Sequence, residues 1–139
     1  MHGRGPLKLL GSAGLAAGLL AISVPVLAHH SFAAYDMRNT RQVEGTLREF
    51  RWGAPHSSMV IEYKGRNGET LRMSLVSGSP LMFTKKGFNA RDFKRGERVR
   101  VVYHPNINGA PGGALSSLRL SDGRTFSDDE AARAAPPGA

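Results

Sequence analysis

The chain has 139 residues and a formal net charge of +8 at pH 7, from 19 lysines and arginines against 11 aspartates and glutamates. It has no cysteine, which excludes disulfides, catalysis by a thiol and zinc sites built on cysteine. The positive charge suits an anionic lipid, a polysaccharide or an acidic partner, but the wide spacing of the basic residues favours a role in solubility alone.

Residues 1–28 have the three parts of a secretory signal. A start with Arg4 and Lys8 precedes a long apolar run, and Val26-Leu27-Ala28 provides the small and aliphatic residues of a cleavage site. We predict cleavage after Ala28 and a periplasmic or secreted protein. A retained membrane anchor is the alternative, since the apolar run approaches the roughly 20 residues that span a bilayer. No second apolar stretch is long enough to do so.

The rest of the chain divides into an N-terminal arm over residues 29–40, a β-domain over 41–126 and a tail over 127–139. Alternating apolar residues and turn signals predict the elements of the domain. In chain order these are strands over 42–52, 58–63 and 70–76, a helix over 80–86, and strands over 98–104 and 114–120. The tail is rich in alanine, proline and acidic residues, and we predict that it is disordered.

Three strands, one short helix and two further strands follow the order of the OB-fold, a five-stranded Greek-key barrel. We therefore predict a mainly β protein with a small OB-like barrel and one helix between strands three and four. A different small barrel, or a sandwich with a helix at one end, is the alternative. In the first strand neither alternating set of residues is purely apolar, and Gly45 suits a bend or bulge there.

Motifs along the chain resemble a family of small exported bacterial proteins of unknown function. His29-His30-Ser31-Phe32 follows the predicted cleavage site, and Trp52-Gly53-Ala54-Pro55-His56 resembles the family's Trp-x-Asn-Pro-His turn, with alanine in place of asparagine. Further matches are Asp36, Gly45-Thr46-Leu47, Gly78-Ser79-Pro80, Gly96-Glu97-Arg98-Val99 and Asp122-Gly123-Arg124. The resemblance implies export and a shared fold, and it implies no established activity.

Four histidines follow the predicted signal, and they are the candidate metal ligands: His29, His30, His56 and His104. Cleavage after Ala28 would give His29 a free α-amine beside its imidazole, and nitrogen ligands favour copper(II) among divalent metals. In an OB-fold the loops after strands one and four lie at the same end, so His56 and His104 are expected there. An arm folded back along the first strand would bring His29 to that end.

The sequence thus predicts a copper site formed by the terminal amine, His29 and His56, with Asp36 or His104 as a further ligand. A solvated terminus, and a hydrogen bond of His56 within its own turn, are the alternatives. Trp52 either stacks against a ligand at the barrel mouth or packs in the core, and packing is favoured.

Four functions are compatible with these features. The first is a non-enzymatic copper-binding protein for storage, delivery or sensing, and the second is a binding module that recognises a partner protein or an anionic ligand without metal through the loops at 53–57 and 105–113. Nucleic acid binding fits the fold and charge, but the predicted export opposes it. Catalysis at a terminal-histidine copper centre would require a substrate groove that the sequence does not reveal.

Overall fold

The structure is a computed structural model that describes residues 1–2 and 32–138. The predicted secretory signal, apart from its first two residues, lies outside the described residues, as do His29 and His30. Among the described residues, no helix is long and apolar enough to cross a membrane. The elements are β1 (Arg41–Arg51), β2 (Ser58–Lys64), β3 (Thr70–Val76), α1 (Pro80–Lys85), a 3₁₀ turn (Ala90–Asp92), β4 (Arg98–Pro105), β5 (Gly112–Arg119), β6 (Thr125–Ser127) and α2 (Asp129–Ala134).

Strands β1 to β5 form a closed barrel. They follow the order β3-β2-β1-β4-β5 with antiparallel neighbours, and a parallel pairing of β3 with β5 closes the ring through Ser74–Val76 and Gly112–Ala114. β6 pairs with the other half of β5, and α1 lies between β3 and β4 in the chain. The predicted five-stranded OB-like barrel with one helix between strands three and four is therefore confirmed.

A β-bulge explains the mixed pattern of the first strand. Leu47 pairs with Ile61 and Glu49 with Val60, so Arg48 is an extra residue in β1. Because the extra residue reverses the alternation, the inward-facing positions are odd-numbered before the bulge, as at the buried Leu47, and even-numbered after it, as at the half-buried Phe50. The sequence suggested a bend or bulge at Gly45. The bulge lies three residues later, at Arg48. Gly45 instead allows β1 and β2 to approach each other closely, since a Cβ at this position would contact the Glu62 carbonyl of β2.

Aromatic rings close one end of the core. Phe83 of α1 is fully buried, and its ring stacks on that of Phe126 at a centroid distance of 3.9 Å. The rings of Phe50 and Phe93 meet Phe83 edge-on at 5.5 and 5.4 Å. The short helix thus contributes one large side chain that plugs the barrel, while aliphatic residues of the strands fill the interior.

The segment after residue 127 differs from the disordered tail that its composition predicted. It contains α2, whose Ala131 is fully buried against the barrel. Asp128 is 3% exposed and connects this helix to the end of β3. One carboxylate oxygen accepts hydrogen bonds from the backbone N–H groups of Glu130 and Ala131, and the other accepts from the Ser77 hydroxyl and the Gly78 N–H.

Replacing Asp128 with alanine is expected to lower the free energy of unfolding by about 2 to 4 kcal/mol, because it removes a helix cap and leaves buried donors without an acceptor. Urea denaturation followed by circular dichroism measures this change. Asp129→Ala is the matched control, since it removes an exposed ion pair with Lys86 and should have a much smaller effect. Equal losses in both variants would contradict the role given to Asp128.

Candidate functional site

The N-terminal arm is attached to the end of β4. Tyr35 forms an isolated antiparallel bridge with Asn106. The Asp36 N–H donates to the Pro105 carbonyl at 2.8 Å, and the Ile107 N–H donates to the Ala34 carbonyl at 3.0 Å. Residues 34–36 therefore extend the sheet beyond the start of β1. Their hydrogen bonds also fix the position of the chain that follows residue 32.

His104 anchors the same arm through a hydrogen bond to Asn39. It is 3% exposed, and its Nδ1 lies 3.0 Å from the carbonyl oxygen of Asn39. A carbonyl oxygen can only accept, so Nδ1 is the nitrogen that donates in this contact. Metal ligation by His104 stays a prediction that would have to use Nε2. Within residues 32–138, no group of three or more histidine, aspartate or glutamate side chains is arranged to hold a metal ion.

Asp36 shapes a turn in the arm. Its carboxylate accepts hydrogen bonds from the Asn39 side-chain amide at 2.8 Å and from the Arg38 N–H at 3.2 Å. The hydrogen bond from Asn39 is the main reason that the pKa of this carboxyl lies below its ordinary value. Asp36 lines an open cavity of about 660 Å³ beside the 105–113 loop, together with Arg38 and Arg41. Asp36 does not line the cavity that adjoins His56, although its neighbour Tyr35 lines both cavities.

His56 is exposed in the turn between β1 and β2. The turn contains a cis peptide bond between Ala54 and Pro55. The residue after His56 is anchored, because the Ser57 N–H donates to the Gly78 carbonyl at 2.8 Å and its own carbonyl accepts from the Ser77 N–H at 2.9 Å. These bonds fix the position of His56 at the mouth of the barrel.

A cavity of about 180 Å³ adjoins His56 and brings three parts of the chain together. Phe32 and Tyr35 line it from the arm, and Asp128 and Glu130 line it from the start of α2. The Asp128 oxygens are already engaged by four hydrogen bonds, whereas Glu130 is exposed. The cavity thus combines an imidazole, a carboxylate and aromatic rings.

Trp52 belongs to the aromatic end of the core. Its ring lies 5.6 Å from that of Phe83 and 6.0 Å from that of Phe50, centroid to centroid. It is half-buried and does not line the His56 cavity. This position agrees with the interpretation that Trp52 packs in the core and does not stack against a ligand.

Sequence reasoning did not identify the acidic side of the His56 cavity. Asp128 and Glu130 were assigned to a disordered tail, although an aspartate followed by acidic residues and alanines is a typical helix start. That signal would have predicted α2. It would not have shown that the helix packs beside His56, because this contact depends on the closed barrel.

The comparison with curated proteins gives no significant match. A family model does match residues 16–116, which include the arm, His56, His104 and most of the barrel. The chain therefore belongs to DUF6152, a family of unknown function.

Proposed function

We propose that this protein is an exported, non-enzymatic metal-binding protein that holds copper(II) through its N-terminal histidine pair and His56. It would store, deliver or sense the metal. The observation that supports the proposal is the shared cavity of Phe32 and His56, because Phe32 lies two residues after His30.

Chain length makes the site reachable. A residue spans at most about 3.6 Å, so His30 and His29 lie within about 7 and 11 Å of Phe32 along the chain. If the signal is cleaved after Ala28, His29 supplies an amine and an imidazole, and His56 supplies a third nitrogen. Such nitrogen sets bind copper(II) more tightly than the other divalent ions of the first transition row.

The surroundings of His56 suit a ligand. Its imidazole is exposed and makes no hydrogen bond with the residues that the structure describes. Glu130 lines the same cavity and offers an oxygen that can bind the metal or a metal-bound water. His56 would thus complete a site to which the arm delivers the other nitrogens.

The test starts from the full precursor, expressed in a bacterium and purified from the periplasm. Intact mass gives the first residue, and native mass spectrometry with one equivalent of copper(II) gives the bound metal. We expect a chain that starts at His29 and retains one copper. His56→Ala should weaken copper binding at least about tenfold, since it removes a nitrogen ligand of the metal. A one-residue extension before His29 should also weaken binding, because it displaces the amine.

Asn67→Ala serves as the control, because Asn67 is an exposed residue of the β2–β3 hairpin outside the cavity. Its copper affinity should equal that of the unaltered protein. A chain that starts at His29 and retains no copper would overturn the proposal. An unchanged affinity in His56→Ala would also overturn it, since copper would then be held by the terminal pair alone.

The larger cavity supports a second function, which is metal-independent binding of an anionic ligand or a partner protein. It opens beside the 105–113 loop and contains Arg38 and Arg41, neither of which forms an ion pair with another described residue. Binding of this kind would persist with a chelator present and would weaken with salt, which separates it from the copper site.

A further inference from the structure

Three arginines line a depression of about 270 Å³ on the outside of the barrel. Arg98 and Arg100 come from β4 and Arg119 from β5, and Glu44 of β1 also lines the depression. Val99 and Leu120 also line it, but their side chains belong to the buried core, and these residues are only 4% and 3% exposed. The depression therefore groups three guanidinium ions on an exposed part of the sheet.

The charges in this depression do not balance. Glu44 accepts hydrogen bonds from the Arg100 Nε at 2.9 Å and from the Arg100 Nη2. These bonds lower the pKa of the Glu44 carboxyl, which keeps it ionised. Arg98 and Arg119 form no ion pair with the residues that the structure describes. Three positive side chains against one negative leave a net charge of +2 in the depression.

Other arginines of the barrel surface are paired differently. Arg48 and Arg72 both contact Glu62, at 2.6 and 2.9 Å, and each takes a separate carboxylate oxygen. Hydrogen bonds from these two arginines lower the pKa of the Glu62 carboxyl. Arg98 and Arg119 differ from these two arginines, because they lie together in one depression and form no ion pair with the described residues.

The strand register adds to the repulsion. Arg100 and Arg119 are direct partners in the antiparallel pairing of β4 with β5, and Arg98 lies on the same exposed side two residues before Arg100. Like charges that face each other across two strands destabilise a sheet. This arrangement therefore opposes folding, and a bound anion would remove that cost.

We propose that the depression binds a phosphate group, either free or as an ester. Guanidinium ions form paired hydrogen bonds with tetrahedral oxyanions, and arginine does so better than lysine. A free phosphate or a phosphate monoester carries about two negative charges at neutral pH, which match the net charge of +2. The phosphodiester of a phosphatidylglycerol headgroup carries a single negative charge. No residue of this site lines the His56 cavity, so the inference is independent of the copper proposal.

The direct test is a titration of the purified protein with inorganic phosphate at constant ionic strength, followed by amide chemical shifts. We expect saturable shifts at Val99, Leu120 and their neighbours. The double variant Arg98→Ala/Arg119→Ala should bind phosphate at least about tenfold more weakly. Its melting temperature should equal or exceed that of the unaltered protein, since it relieves repulsion, and phosphate should raise the melting temperature of the unaltered protein alone.

Arg66→Ala/Arg95→Ala is the matched control, because it removes the same charge from two exposed residues outside the depression. It should bind phosphate within about twofold of the unaltered protein, since exposed distant charges are screened by salt. Equal losses in both double variants would show an effect of overall charge and would overturn the site.

A second set of measurements identifies the source of the phosphate. Vesicles with and without phosphatidylglycerol are mixed with the protein, and sedimentation measures what binds. Binding to the anionic vesicles that is competed by phosphate and lost in Arg98→Ala/Arg119→Ala would identify a lipid headgroup. Binding of phosphate without binding of vesicles would identify a soluble ligand. Absence of both would overturn the proposal.

Discussion

Replacing Phe83 with alanine is expected to lower the free energy of unfolding by about 3 to 5 kcal/mol. The Phe83 side chain is fully buried and contacts the rings of Phe126, Phe50 and Phe93. Its removal loses this burial and leaves a cavity that the rigid barrel cannot fill, since the neighbouring rings are held by separate strands and loops. Urea denaturation followed by tryptophan fluorescence measures the loss, because Trp52 adjoins the same rings.

The control for Phe83 is Leu81→Ala in the same helix. Leu81 is 60% exposed, so its replacement should change the free energy of unfolding by no more than about 0.5 kcal/mol. Because both variants shorten an apolar residue of α1, the difference between them isolates the plugging role of the phenylalanine. A loss below about 1.5 kcal/mol in Phe83→Ala would show that α1 does not plug the barrel.

The second large effect is expected at Gly112, where the barrel closes. This residue pairs with Ser74 across the parallel contact of β3 and β5, and its φ is +103°. A Cβ here would collide with the Ser74 carbonyl oxygen, in addition to the strain of a positive φ. Gly112→Ala should therefore lower the free energy of unfolding by at least about 3 kcal/mol. Hydrogen exchange should show lost protection at the closing pairs of β3 and β5.

Gly123→Ala is the control that separates the steric collision at Gly112 from the strain of its positive φ. Gly123 has a φ of +91°, but a Cβ there would meet no atom within 4 Å. This variant should cost about 1 kcal/mol from the backbone alone and should leave exchange in β3 and β5 unchanged. If both glycine variants lose the same free energy, the closing contact contributes nothing beyond backbone strain.

Local patterns in the sequence were sufficient for most of the barrel. In β2, β3 and β4 a simple alternation places Met59, Ile61, Met73, Leu75 and Val101 inside, and the observed strands begin at the predicted residues 58, 70 and 98, although Leu71 is exposed. The helix begins at Pro80 as predicted, and the side chain of Ser79 before it makes no capping hydrogen bond. The bulge at Arg48 was not predictable in position, because it depends on how β1 fits both β2 and β4.

The candidate site was less accessible to sequence reasoning. The prediction that the arm brings His29 to the end of the barrel where His56 lies stays a prediction, because His29 is outside the described residues; the arm residue Phe32 lines the His56 cavity. His104, in contrast, lies under the arm with Nδ1 bound to Asn39. The sequence around His104 does not show whether this histidine binds a metal or anchors the arm. That difference depends on contacts between segments far apart in the chain.

The closing pairs also affect how the protein behaves among copies of itself. β3 and β6 each cover one half of the same side of β5, so that strand offers little free backbone there. β6 has three residues, and the part of β3 beyond its contact with β5 carries Arg72. Edges that are this short or charged are poor templates for adding a strand from another molecule. The barrel is thereby protected against sheet extension and the aggregation that follows from it.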